Sequence, residues 1–153
     1  MKDFDELETL LDDFETRRAA ELEARTKAEQ GEAHFRGECI AMLETVVIPT
    51  FEEAGRSLSK RAHECSVSHR IADYDVPSAD LTMRPYIPEE KWVRRSRLSM
   101  RCECGEGFVV FGEVCPARKE PVTLEWTRPM DEVDEGFIRE KVVEFVRAVL
   151  DEY

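Results

Sequence analysis

The chain has 153 residues, enough for one domain or one domain with an appendage. Charged residues make up 37% and the net charge is −12, which disfavours nucleic acid and anionic lipid and favours basic partners. The 42% of hydrophobic residues still supports a modest core, so wholesale disorder is not expected.

The N-terminal sequence MKDFDELETLLDDF breaks any apolar leader with acids, so no secretory signal is expected. No run is long enough for a membrane span. The cysteines are Cys39, Cys65, Cys102, Cys104 and Cys115. Their odd number and irregular spacing read as reduced thiols in a cytoplasmic protein.

Residues 3–30 carry a helical pattern. Phe4, Leu7, Leu11 and Phe14 alternate three and four apart, which puts them on one stripe, and Leu10 widens it. The same register continues into Arg18, Glu21, Arg25 and Ala28, where the apolar seam fades. Helix-forming composition sustains this part, with small support from pairs such as Glu23 and Lys27. Gly31 and Gly37 suggest a break. Phe35, Cys39, Met42, Leu43, Val46 and Val47 restore an apolar face until Pro49. Thr50 and Glu53 form a capping-box pattern, predicting a helix over 50–63 with Phe51, Ala54, Leu58 and Ala62 inward.

The period then becomes two. Cys65, Val67, His69 and Ile71 alternate with polar neighbours as in a half-buried strand. Turn residues fill 73–80, and Leu81 and Met83 suggest a short strand closed by Pro85. Pro88 opens a single helical turn near 89–92. Leu98, Met100, Cys102 and Cys104 alternate before Gly105-Glu106-Gly107, and residues 108–111 return, which is a hairpin. Val122, Leu124 and Trp126 give another strand. Pro129 and Asp131 announce a last helix over 131–151, with Val133, Phe137, Val142 or Val143, Val146 and Leu150 on its apolar face.

These elements predict an α+β fold: a long N-terminal helical segment, an antiparallel sheet of about four strands, and a C-terminal helix packed on the sheet. The expected organisation is an extended association segment over 1–48, a helical stalk, followed by a small α+β domain over 49–153. A helix of about 45 residues is roughly 65 Å long at 1.5 Å per residue, far more than a small domain can cover. The stripe Phe4–Leu7–Leu11–Phe14 is therefore expected to pack on its copy in a homodimer or on a helical partner. The alternative is a hairpin that returns residues 4–14 onto 39–47.

Motifs for chemistry are sparse. Cys102-Glu103-Cys104 and Cys115, with His63, Cys65 and His69, form a candidate zinc set. Zinc knuckles space their cysteines two to four residues apart, however, and a one-residue spacing on a strand does not. The bland reading makes Cys102 and Cys104 small apolar residues of the core face. A redox pair would need CxxC at a helix N-terminus. His63 and His69 are six apart and form no HExxH, and Gly105-Glu106-Gly107 precedes a strand and so offers phosphate no helix N-terminus. Paired acids carry no information in a chain with 34 of them.

Lys91, Arg94, Arg95, Arg97 and Arg101 form a basic island around Trp92. It is a candidate contact for an acidic partner, or for the protein's own acids with Trp92 in the core. No motif assigns the chain to a family. The leading expectation is a non-enzymatic interaction module that associates through its N-terminal helices and needs no cofactor. A zinc protein and a small-molecule-binding domain, its pocket lined by Met83, Met100 and Trp126, are the alternatives.

Overall fold

The structure is a computed structural model that describes residues 2–72 and 74–153, with side chains from Phe4 onward. Asp73, expected in the turn before the second strand, lies outside the described residues. The chain divides into two compact units, residues 1–35 and 36–153.

Helix α1 spans Lys2–Met42. The expected break at Gly31 and Gly37 does not occur. Each glycine costs a helix about 1 kcal/mol, too little to interrupt a segment otherwise rich in Ala, Glu, Lys and Arg. From Phe4 through residue 35 the helix surface is exposed apart from the half-buried Phe35.

Unit 36–153 begins with the end of α1 and a π-helical turn, Leu43–Val47, that passes directly into α2, Ile48–Ser59. This replaces the expected capping box. Pro49 has no N–H for the carbonyl four residues back, and its ring crowds that turn. The helix widens instead of stopping, and the Ile48 N–H reaches the Leu43 carbonyl, five residues back. Thr50 is therefore a buried residue inside α2 and not its cap. Glu53 turns outward and meets Arg139 Nη2 at 2.7 Å. α2 ends earlier than expected. Ala62, expected inward, is exposed in the turn that follows and holds φ +70°.

Five strands follow, one more than the expected four: β1 Glu64–Arg70, β2 Ser78–Arg84, β3 Ser96–Glu103, β4 Gly107–Val114 and β5 Val122–Arg128. They form an antiparallel meander in the order β1-β2-β3-β4-β5. The register aligns the alternating apolar residues into rungs. Val67, Leu81, Leu98, Gly112 and Leu124 make one, and Ala79, Met100, Val110 and Trp126 make the next. A one-residue slip would move every member to the other face, so the pattern itself fixes the pairing.

Helices cover that face. Cys39, Leu43, Val47 and Phe51, each four apart, are fully buried on the α1–α2 side. Helix α3, Glu135–Leu150, adds Phe137, Ile138, Val142, Phe145 and Val149. It is capped by Asp134 and starts later than the expected residue 131, because a short 3-10 turn, Met130–Glu132, comes first. Asp134 Oδ1 accepts the Phe137 N–H at 2.8 Å. Burying each large apolar side chain contributes about 1.5–3 kcal/mol. The opposite face of the sheet is mostly polar, with Asp80, Thr82, Arg97, Ser99, Arg101, Glu113 and Glu125, but β4 also places the fully buried Val109 and the half-buried Phe111 on it.

The β3–β4 turn depends on glycine. Gly107 has φ +100°, and a Cβ there would lie 2.6 Å from the Arg128 carbonyl oxygen. Gly105 has φ +91° but open space around it. Gly107→Ala should therefore cost about 2–3 kcal/mol and Gly105→Ala about 1 kcal/mol. Urea denaturation of the two variants checks the difference, and equal losses would contradict the close approach.

Candidate association surface

In unit 1–35 the expected stripe is present and bare. Phe4 is 71% exposed, Leu7 47%, Leu11 51% and Phe14 52%, with Leu10 also exposed beside them. Five large apolar side chains within eleven residues of one helix form a strip that a soluble protein normally covers. Further along, Arg18 pairs with Glu21 and Lys27 with Glu23, so that part is laced by its own charges. Hydroxyls of Thr9, Thr16 and Thr26 return to carbonyls four residues back.

The basic island disperses. Arg94 donates to the carbonyls of Pro116 and Lys119 and so ties two loops together. Arg95 pairs with Glu64. Arg101 Nε lies 2.6 Å from Glu103 Oε1, and this guanidinium is the first cause holding the Glu103 carboxyl below its ordinary value. Glu106, one turn on, is pushed the other way by its hydrogen bond with Glu103. Arg97 is exposed on the polar sheet face. Trp92 is 62% exposed and not in the core, since residues 91–95 form an irregular segment before β3. The arginines thus serve mainly as internal ties, and no continuous basic groove results.

The cysteines do not assemble as a ligand set. Cys102 is disulfide-bonded to Cys39, which links the end of α1 to β3. This corrects the reading of all five as reduced thiols. Both residues point into the same core, one from the helix and one from the sheet, with Cα atoms 6.0 Å apart. Met130 Sδ lies 3.9 Å from Cys102 Sγ and closes the pocket around it. Cys104 sits past the end of β3 and is exposed, so the expected shared face is lost one residue beyond the strand. Cys115 lies beside Glu113, and burial first, then that carboxylate, pushes its thiol up. Burial also raises the Cys65 thiol. His63 Nδ1 accepts the Tyr86 N–H at 2.9 Å, and His69 is exposed on β1. Among the described residues, no three His, Cys, Asp or Glu side chains converge as a metal would require.

Two features escaped sequence reading. Lys141 is buried on α3, its ammonium 4.4 Å from the centre of the Trp126 ring and 3.1 Å from Glu144 Oε2. A lysine at a core position was legible; its aromatic partner on β5 was not. A groove of about 560 Å³ runs between α2 and β1, lined by Gly55, Ser59, Cys65 and Val67 among others. Met83 and Met100, expected to line a pocket, are instead fully buried in the core.

With a covered sheet face, a mostly polar sheet face and a bare apolar stripe on the first turns of α1, the architecture is that of an α+β protein with a long N-terminal helix. No helix among the described residues is long and apolar enough to cross a membrane. Comparison with protein families, curated proteins and solved structures finds no match.

Proposed function

We propose that the chain is a non-enzymatic protein–protein interaction and assembly module, with Phe4, Leu7, Leu11 and Phe14 as its contact surface. The observation that carries this reading is the exposure of all four side chains at three–four spacing on one helix. Such a strip fits the apolar face of another helix, from a second copy or from a different protein. The cytoplasm is the proposed setting, which three free thiols support. The Cys39–Cys102 bond is compatible with it because both sulfurs are sealed from solvent reductant.

Substituting Leu7→Asp together with Leu11→Asp should abolish association and shift the thermal transition of unit 36–153 by less than about 1 °C, since exposed helix positions carry little stability. Sedimentation velocity, alone and with helical peptide probes, reads the first effect, and circular dichroism the second. Association that survives the double substitution would refute the assignment. The groove between α2 and β1 favours a second reading, a small-molecule site. Ligand protection of Cys65 from alkylation would establish it.

A further inference from the structure

The charge of unit 1–35 is not spread along its helix. Residues 2–16 hold seven carboxylates, Asp3, Asp5, Glu6, Glu8, Asp12, Asp13 and Glu15, against Lys2. That is a net −6, half of the whole chain's −12. Residues 17–35 hold Arg17, Arg18, Arg25 and Lys27 against Glu21, Glu23, Glu29 and Glu32 and are neutral. The acidic block and the apolar stripe thus occupy the same turns.

Helical spacing sets where these charges stand. Glu8 follows Phe4 by four and Glu15 follows Leu11 by four, which fences one edge of the stripe. Glu6 precedes Leu10 by four and Asp13 follows it by three, which fences the other. Among the described residues, none of Asp5, Glu6, Glu8, Asp12, Asp13 and Glu15 makes an ion pair; Arg17, four after Asp13, does not close on it, and Arg18 pairs with Glu21 instead. A second copy would bring fence against fence. Each like-charge pair about 8 Å apart in water costs roughly 0.5 kcal/mol before screening. The seam available to offset this spans only two heptads. Beyond Phe14 the same register meets Arg18, Glu21 and Arg25, so it cannot lengthen.

Resting on the reading of the stripe as the contact surface, we propose that its occupant is a different protein, one that offers an apolar groove rimmed by lysines and arginines. The leucines and phenylalanines fill the groove, and the two carboxylate rows meet its rims. Charge thus selects against self-pairing and for a basic partner.

The sign of the salt dependence tests this, because screening weakens attraction between opposite charges and relieves repulsion between like ones. The full chain would be studied by sedimentation velocity at low and high salt. In parallel, anisotropy would follow its binding to two synthetic helical peptides. Both carry leucines at heptad spacing; one is flanked by lysines and the other by glutamates. The expected result is a monomer at both salts that binds only the lysine peptide, with affinity falling about tenfold as salt rises. Leu7→Ala with Leu11→Ala should weaken that binding about tenfold. Glu8→Gln with Glu15→Gln should weaken it several-fold at low salt and hardly at high salt. A stripe-dependent dimer that tightens with salt would overturn the basic partner and leave the contact surface standing. Binding of neither peptide, with no dimer, would overturn both.

Discussion

Replacing Cys39 and Cys102 together by alanine is expected to lower the stability of unit 36–153 by about 4 kcal/mol. The bond joins residues 63 apart, and closing a loop of that length removes about this much chain entropy from the unfolded state. For a unit of this size the melting midpoint should fall by about 10–20 °C. Thermal denaturation of the native chain and of a chain refolded under reductant checks this, because the bond is open to reductant once the chain unfolds and the reduced chain should reproduce the variant. Thiol titration under denaturing conditions supplies a second readout. Three thiols, Cys65, Cys104 and Cys115, should react before reduction and all five cysteines afterwards. Five reactive thiols at the outset would show that the helix and the sheet are held by packing alone.

Phe145→Ala should be comparably damaging, at about 4 kcal/mol, through lost transfer energy and the cavity left behind. Phe145 is fully buried where α3 closes on the sheet. A Cβ at Gly112 would stand 3.5 Å from its ring and 3.5 Å from Leu124 Cβ, so the small residue on β4 and the large one on α3 are matched. The neighbours cannot relax into the space without opening β4 from α3. Urea denaturation measures the loss. A Phe145→Leu variant, which keeps most of the volume, should lose less than half as much. Equal losses in the two variants would mean that the ring's shape, and not the filled volume, holds α3 in place.

Most elements were legible because each carries its own period. Leu98, Met100 and Cys102 alternate on a strand whatever surrounds them, and Phe4, Leu7, Leu11 and Phe14 wind onto one face of any helix they form. The places where local reading failed share a cause. Thr50 and Glu53 form a capping pattern, yet Pro49 only widened the preceding turn because Leu43, Val47 and Phe51 on the same side were already drawn into the core. Gly31 and Gly37 suggested a break that the strong helix formers around them outweighed. Trp92 was weighed as a core residue from its chemistry, and the irregular segment before β3 left it outside.

The candidate surface divides in the same way. Its apolar stripe and its acidic fences are properties of fifteen consecutive residues, so the sequence alone determined them. The basic island, also contiguous, was dismantled by the fold, because Arg94 and Arg95 found partners from other parts of the chain and Arg101 turned to Glu103 on its own strand. The disulfide lies at the far limit of what a linear reading can reach. Cys39 belongs to a helical period and Cys102 to a strand period, and each pattern says only that its cysteine faces inward. That they face each other follows from where α1 crosses the meander, which is settled by burial of the whole apolar face and not by any local stretch. Spacing along one element is a local property of the backbone and is written in the sequence. Contact between distant elements is a property of the packed core, and only the tertiary structure decided it.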